Sequence, residues 1–244
     1  IYEVPLVMHR QHLDEVVLSK LDLPSEQEPD LSSLQAFVDK VKNPKRTIDI
    51  ALVGKYTELP DAYKSICESF IQAGAVNDCK VKLHYVNSEK IDASNVGEKL
   101  GKMAGILVAP GFGNRGIEGK IEAVHFARTH RIPFLGICLG MQCAVIEFAR
   151  NVLGFKDATS TEMDPATKHP VIDLMEEQKG ITAKGGTMRL GAYPCSLEPG
   201  SKAAQAYGTT HIQERHRHRY EFNSEYLKDF ESHGMKAVLS LIHI

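Results

Sequence analysis

Ten residues near the middle of the chain, Pro133 to Gln142, constrain the fold more than any other stretch. Their sequence is PFLGICLGMQ, an apolar run that ends with glycines on both sides of Cys138. A Gly-x-Cys-x-Gly pattern is typical of a sharp turn from a buried strand into a helix, because only residues without a β-carbon fit beside the central residue. The pattern predicts a strand over residues 133–137, a helix over 141–153, and a thiol at the start of that helix.

Cys138 is therefore a candidate nucleophile. The partial positive charge at a helix N-terminus favours the thiolate over the thiol, and the thiolate is the reactive form. The alternative is a structural cysteine that packs as a small hydrophobic residue. The other four cysteines have no such glycine bracket; they are Cys67, Cys79, Cys143 and Cys195. An odd number of cysteines without a Cys-x-x-Cys pair argues against a disulfide framework or a zinc site and for a reducing compartment.

Composition sets broad limits on the class of protein. The chain has 244 residues, 43% of them hydrophobic, which is enough to build a sizeable core. Its net charge of −2 creates no overall field that would attract nucleic acid or an anionic membrane surface. No apolar run approaches the length of a membrane span, and no signal peptide is present. We expect a cytoplasmic protein with neither a nucleic acid nor a membrane as partner.

The chain changes character near residue 43. Residues 1–43 contain polar and acidic stretches and one predicted helix over 31–43, which suggests a connector. From residue 44 onward, strands and helices alternate as far as the Cys138 turn. This alternation predicts an α/β fold with a doubly wound, mostly parallel sheet, whose active site lies at the carboxyl ends of the strands. Two strands end in glycine-rich turns there, GFGNRG at 111–116 and the turn around Cys138.

The pattern weakens after residue 154, but three polar features stand out. Glu162 is a lone carboxylate in a predicted loop, KGGTMRLG at 184–191 is a further glycine turn, and ERHRHRYEFN at 214–223 is strongly basic. An extended backbone over the basic run places Arg215, Arg217 and Arg219 on one face and its two histidines on the other. Such a run is usually a solvated face, but it can also bind a carboxylate or a phosphate.

Together these motifs resemble the glutamine amidotransferase domain of the CTP synthase family. GICLGMQ is similar to the nucleophile turn of any class I, triad-type amidotransferase, whereas PGFGNRGIEGK, KGGTMRLG and ERHRHRYEFN in this order are more specific to CTP synthases. The resemblance implies a flavodoxin-like fold that hydrolyses L-glutamine to glutamate and ammonia. The ammonia travels through a channel to a synthetase domain, a ligase that aminates ATP-activated UTP to CTP.

The resemblance also implies roles for individual residues. Cys138 attacks the glutamine amide and forms a thioester, and the amides of Gly111 and Leu139 form the oxyanion hole. The implied glutamine contacts are Gly111, Leu139, Gly140, Met141, Gln142, Glu162 and Arg219. Glu162 pairs with the ammonium group and Arg219 lies beside the carboxylate. Arg115 and Gly116 fall in a lid associated with activation by GTP.

This chain departs from the family pattern at two places. The family has Pro-Gly-Gly-Phe-Gly where this chain reads Ala-Pro-Gly-Phe-Gly, and Pro110 has no amide to donate, so Gly111 alone remains. The family's catalytic histidine and glutamate form a His-x-Glu motif well beyond the basic run, and the sequence after Arg219 contains no such motif. His243 has no glutamate two residues on.

These departures suggest a fragment that is truncated at both ends. Residues 1–43 then form the end of a synthetase domain and a linker, and residues 44–244 form an amidotransferase domain that is incomplete at its C-terminus beyond about residue 238. The sites for ATP and magnesium are expected upstream, with no cofactor or metal bound by this chain. The whole enzyme is expected to be a homotetramer, and the fragment alone is expected to be nearly inactive.

Two other classes of function compete with this interpretation. A cysteine hydrolase of the α/β-hydrolase type also uses a Gly-x-nucleophile-x-Gly turn, but it leaves the 184–191 and 214–223 motifs unexplained. A non-catalytic regulatory domain could keep the amidotransferase shape without its activity. The intact set of polar residues, Gln142, Glu162 and Arg219, argues against such decay.

Overall fold

The computed structural model describes residues 1–24, 28–174 and 189–241, and it divides into two compact units. The first unit comprises residues 1–50 and 58–84, and the second comprises 51–57 and 85–244. These units are groups of contacting residues, so the division into a connector over 1–43 and an amidotransferase domain over 44–244 stays a prediction. Each unit is described below by itself.

The first unit contains four helices and parts of two strands. Its elements are α1 (Val4–Arg10), α2 (Leu13–Lys20), α3 (Ser32–Lys42), the start of β1 (Arg46–Gly54), α4 (Lys64–Val76) and most of β2 (Cys79–Asn87). The predicted helix over 31–43 is confirmed as α3. Helices α1 and α2 were not predicted; they have only seven and eight residues, which is too short a stretch for a clear helical period.

Strands β1 to β4 form a sheet with the order β2-β1-β3-β4, and the second unit contains β3, β4 and the ends of β1 and β2. Its first elements are the end of β1, α5 (Val96–Leu100), β3 (Gly105–Val108), α6 (Ile117–Thr129), β4 (Phe134–Gly136) and α7 (Leu139–Asn151). Strands β3 and β4 run parallel, with Val108 opposite Gly136. The alternation of strand and helix thus produces the predicted α/β fold with a mostly parallel sheet.

The later part of the second unit forms two smaller sheets that the sequence did not predict. The elements of this part are β5 (Thr159–Ser160), β6 (Pro170–Leu174), β7 (Arg189–Leu197), α8 (Lys202–Tyr207), β8 (His211–His218), β9 (Tyr220–Phe222), α9 (Leu227–Ser232) and β10 (Leu239–Leu241). One sheet has the order β10-β7-β8 and is antiparallel, and the other has the order β5-β6-β9. Residues 184–188 of the KGGTMRLG motif lie outside the described residues, and 189–191 begin β7.

The basic run forms strand β8, and its side chains alternate as predicted as far as His218. Arg215 and Arg217 are exposed, whereas His216 and His218 are half-buried. Arg219 does not continue the exposed face, because it lies at the bend between β8 and β9, where the alternation of strand faces is interrupted. The prediction that all three arginines share one face is therefore wrong for Arg219, which is half-buried.

Two glycines set how closely α7 approaches the central sheet. A β-carbon on Gly140 would lie 2.1 Å from the carbonyl oxygen of Val108, and one on Gly136 would lie 2.5 Å from the backbone of Gly140. Both distances are far below van der Waals contact. The first turn of α7 is therefore packed directly on the backbone of β3, which fixes the position of the residue before it, Cys138.

A buried ion cluster joins the outer part of α7 to α6. Glu147 is fully buried and accepts hydrogen bonds from the Arg128 guanidinium, at 2.8 Å, and from Asn151, at 3.1 Å. His125 Nδ1 lies 2.9 Å from the same carboxylate. Burial raises the pKa of Glu147, but the hydrogen bonds from Arg128, His125 and Asn151 outweigh it and hold that pKa below its usual value. The carboxylate is thus charged and paired at neutral pH.

We expect Arg128→Met to lower the free energy of unfolding by about 1 to 3 kcal/mol at pH 7, because it leaves the buried Glu147 carboxylate without its strongest partner. The loss stays below that of a fully buried pair, since the Arg128 side chain is 36% exposed and partly screened by water. Urea unfolding followed by circular dichroism measures it. An unchanged midpoint would contradict the role assigned to this cluster.

We expect Gly140→Ala to cost about 1 to 3 kcal/mol of stability, because the added methyl group must push α7 away from Val108. The matched control is Gly97→Ala in α5, where a β-carbon would meet only the Phe126 ring at an ordinary 3.7 Å. That control should be neutral or slightly stabilising, as alanine favours a helix over glycine. Equal urea midpoints for the two variants would show that the close approach at Gly140 does not constrain α7.

Candidate active site

Cys138 lies between strand β4 and helix α7 in a strained backbone conformation. Its φ is 54° and its ψ is −111°, a region that residues with a β-carbon rarely adopt. The turn is held by hydrogen bonds from the amide of Ile137 to the Val108 carbonyl and from the amide of Gln142 to the Cys138 carbonyl, both 3.1 Å. The helix begins at Leu139, two residues earlier than predicted, so Cys138 is its N-terminal capping residue.

The surroundings of the Cys138 thiol act on its ionisation in opposite directions. Burial raises its pKa, and the carboxylate of Glu162 adds to that rise. The backbone amide of Leu139 and the ammonium of Lys120 favour the thiolate and lower the pKa, but the net direction is upward. The predicted stabilisation of the thiolate by the helix N-terminus is therefore outweighed by desolvation, and a neutral thiol predominates at neutral pH.

Across from Cys138, the turn that follows β3 has its carbonyl groups held by two lysines. Lys55, at the end of β1, donates to the carbonyls of Phe112 and Gly113. Lys120, on α6, donates to the carbonyl of Ala109 at 2.7 Å. Gly111 lies between these contacts, and a β-carbon there would meet Lys55, Lys120 and Leu139 at 3.5 to 3.7 Å.

A cavity of about 100 Å³ opens beside the thiol. It is lined by Gly111, Phe112, Cys138, Gln142, Glu162, His218, Arg219 and Tyr220. A Glu162 carboxylate oxygen accepts a hydrogen bond of 3.3 Å from the amide of Gly113, and Gln142 donates to the carbonyl of Tyr220 at 3.1 Å. Residues predicted from four separate stretches of sequence thus meet at one cavity that carries both a carboxylate and a guanidinium.

The other predicted contacts lie around this cavity but do not line it. Leu139 is buried, with only 1% of its surface exposed, and Met141 is 40% exposed. Gly140 is buried against Val108. These three residues can present backbone groups to a ligand.

Arg115 and Gly116 lie apart from the cavity, at the start of α6. Arg115 donates to the carboxylate of Glu89 at 3.1 Å, and its guanidinium lies 5.5 Å from the centre of the Tyr56 ring. Gly116 has a φ of 71° and caps α6. Their predicted role toward GTP stays a prediction.

Several functional candidates were not predicted from the sequence. Phe112 lines the cavity beside Gly111, in a motif already identified. His218 and Tyr220 belong to the basic run, but their positions on the cavity wall depend on the bend between β8 and β9. Lys120 could have been found, because it falls at helical spacing between Ile117 and Val124, on the buried face of α6. A charged residue on that face requires a partner inside the protein.

Within residues 1–24, 28–174 and 189–241, no group of three or more histidine, cysteine, aspartate or glutamate side chains could hold a metal ion. No helix in these ranges is both long enough and apolar enough to cross a bilayer.

Comparison with known proteins assigns the chain to a family. The model of the family "Glutamine amidotransferase class-I" matches residues 58–240. A CTP synthase of Cytophaga hutchinsonii is 65% identical over 237 residues, which are 97% of this chain and 44% of that protein. A CTP synthase of Bacteroides fragilis is 59% identical over 238 residues, or 98% of this chain and 45% of that protein. The chain thus spans less than half the length of these relatives.

A solved structure gives the same assignment in three dimensions. It is the glutaminase domain of Trypanosoma brucei CTPS with bound acivicin, which is 38% identical, with a TM-score of 0.71. The match covers 77% of this chain and 72% of that domain. The chain therefore belongs to the class I glutamine amidotransferase family, among the glutaminase domains of CTP synthases.

Proposed function

We propose that this chain hydrolyses L-glutamine to glutamate and ammonia through a thioester on Cys138, and that the ammonia feeds the amination of UTP to CTP. The observation that carries the proposal is the cavity that Cys138 shares with Glu162 and Arg219. An amino acid has an ammonium and a carboxylate at one end, and this cavity offers one group of opposite charge for each. The α/β-hydrolase alternative is not favoured, since the family match covers residues 58–240.

In the proposed reaction, the Cys138 sulfur attacks the carbonyl carbon of the glutamine side-chain amide. The bond from that carbon to nitrogen breaks, the nitrogen takes up a proton and leaves as ammonia, and a thioester remains. Water then attacks the thioester, which releases glutamate and restores the thiol. The negative oxygen formed at each addition step accepts hydrogen bonds from the amides of Gly111 and Leu139.

The polar residues of the cavity orient the substrate. Glu162 pairs with the glutamine ammonium, and Arg219 forms a charge-assisted hydrogen bond with the carboxylate. The Gly113 amide, which contacts Glu162 at 3.3 Å, helps to hold that carboxylate in place. Gln142 is buried and bonded to Tyr220, so it also connects α7 to the strand that follows Arg219.

The raised pKa of Cys138 means that the reaction needs a general base. In the family this base belongs to a His-x-Glu motif, which the sequence does not contain after Arg219. Of the described histidines, His218 lies on the cavity wall, and its Nε2 is 3.8 Å from the carboxylate of Glu221. His218 is therefore the alternative base that has to be tested against the family's His-x-Glu segment, which we expect to carry this role.

The activity of a whole CTP synthase goes beyond what a chain of this length carries. The matched relatives are named CTP synthases, and this chain corresponds to the C-terminal part of them. We propose that glutamine is its own substrate, and that ATP, magnesium, UTP and the ammonia channel belong to a synthetase domain. Activation by GTP near Arg115 and Gly116, assembly into a homotetramer and a cytoplasmic location are further proposals, the last supported by five free cysteines.

We expect Arg219→Ala to weaken glutamine binding by about 1.5 to 3 kcal/mol, the value of a hydrogen bond to a charged group. Arg219→Lys should recover only part of the loss, because an ammonium cannot reproduce the planar guanidinium contact. Calorimetric titration with glutamine measures the effect. The matched control is Arg217→Ala, which removes an exposed arginine from the same basic run. Equal affinities for Arg219→Ala and Arg217→Ala would contradict the assignment of Arg219 to the substrate carboxylate.

We expect this chain to release ammonia from glutamine very slowly, because enzymes that lose the base of a triad keep only about 10³ to 10⁴ of their acceleration over water. A version extended by the family's His-x-Glu segment should be faster by at least two orders of magnitude, as general base catalysis contributes roughly 10² to 10⁴. Ammonia release from the two proteins is compared with Cys138→Ser versions of each as blanks.

The variant His218→Asn distinguishes the role of His218 from that of the added segment. The control is His211→Asn, which changes an exposed histidine on the same strand. His218 would be identified as the base if the short and extended proteins released ammonia at comparable rates, and if His218→Asn abolished that activity while His211→Asn did not. Such a result would overturn the expectation that the base lies in a His-x-Glu segment.

A further inference from the structure

Lys120 is a charged residue in an almost wholly apolar setting. Its side chain is completely buried on the inner face of α6, between Ile117 and Val124. Among the residues that the structure describes, its one hydrogen bond runs from Nζ to the carbonyl of Ala109, at 2.7 Å. The ammonium lies 3.7 Å from the position that a β-carbon on Gly111 would occupy, directly behind the proposed oxyanion turn.

Burial of an ammonium with a single hydrogen bond is costly, since the group has three donors and prefers a high dielectric. Desolvation lowers the pKa of Lys120 to about 8, and the nearby ammonium of Lys55 acts in the same direction. Negative charge on the sulfur of Cys143 or Cys138 acts in the opposite direction and favours the charged lysine. A buried cation in this position is stabilised when a negative charge forms beside it.

We propose that Lys120 is a positioning residue for the nucleophile: its buried ammonium, held by the Ala109 carbonyl, stabilises the thiolate of Cys138 when the thiol loses its proton. The importance of Lys120 for catalysis rests on the proposed function, because the thiolate is the form that attacks glutamine. The claim about the thiol itself does not depend on any substrate.

The geometry separates Lys120 from the other charged groups around the thiol. Lys55 contacts the far end of the turn, at Phe112 and Gly113, whereas Lys120 contacts its beginning, at Ala109. Glu162 opposes the thiolate, so it cannot replace Lys120. The titratable and charged groups that face Cys138 and Lys120 are Lys55 from β1, Cys143 from α7, Glu162 after β5, and His218 and Arg219 from the bend after β8.

The proposed pair has a distinctive dependence on pH. At low pH Lys120 is charged, and the thiolate fraction of Cys138 rises tenfold for each pH unit. Near pH 8 the pair formed by Lys120 and Cys138 loses its first proton. Above that pH, each further rise favours the thiolate but also removes the lysine charge that stabilises it. The thiolate fraction therefore levels off. It rises again only at higher pH, when the thiol ionises beside a neutral lysine. Two interacting groups therefore give a curve with two steps.

The test measures the rate of iodoacetamide alkylation at Cys138 between pH 6 and 10.5, read by mass spectrometry and without glutamine. The parent chain should show two steps. Lys120→Met, which has nearly the same volume and no charge, should show a single step, with the low-pH limb displaced upward by about one pH unit and a rate at pH 7 about tenfold lower. Cys143, five residues further on, is fully buried with a pKa of about 12, so it does not compete in this range.

The control is Arg128→Met, which removes a charge from the same helix and destabilises the fold without approaching the thiol. It should keep the two-step curve of the parent. A two-step curve that persists unchanged in Lys120→Met would overturn the proposal, and so would a single step in the parent, even if Lys120→Met failed to fold. Since iodoacetamide replaces glutamine, failure of the proposed function would leave this result unaffected.

Discussion

The site depends on one close approach, that of the first turn of α7 to the backbone of β3. Gly140 lies so near the Val108 carbonyl that no β-carbon fits between them. This contact fixes the start of the helix, and only Ile137 and Cys138 remain to link a strand and a helix that are both held in place. The φ of 54° at Cys138 is the consequence, because the chain must change direction within two residues. The strained conformation persists because the strand before it and the helix after it are held in place by packing.

Much of the fold and of the site could be predicted from local sequence patterns. The Cys138 turn, α6 and the strands β3 and β4 follow from glycine placement and apolar spacing, which act within a few residues. Strands β5 and β9 could not be predicted, because β5 has two residues and β9 has three, too few for any alternation to show. The bend at Arg219 could not be predicted either, because it depends on how β9 pairs with β6 and not on the arginines themselves.

The ionisation of the thiol shows a different limit of sequence-based reasoning. A helix N-terminus can be recognised in a sequence, and its effect on a cysteine is known in sign. Desolvation cannot be recognised there, because it depends on the walls of a cavity formed by residues far apart in the chain, such as Gly111 and Tyr220. At Cys138 desolvation outweighs the effect of the helix N-terminus, so the pKa of the thiol is raised where the local sequence predicts that it is lowered.

A raised thiol pKa also constrains how the site can work. A nucleophile that ionised by itself would be reactive at all times, toward oxidants as well as toward the substrate. Here the thiol stays protonated until a base removes the proton, and the groups that favour the thiolate, the Leu139 amide and Lys120, are already in place when that happens. Reactivity is then decided by the arrival of the base and the substrate rather than by the cysteine. For the proposed hydrolysis of glutamine, such dependence ties the reaction to the events that bring the base and the substrate to the thiol.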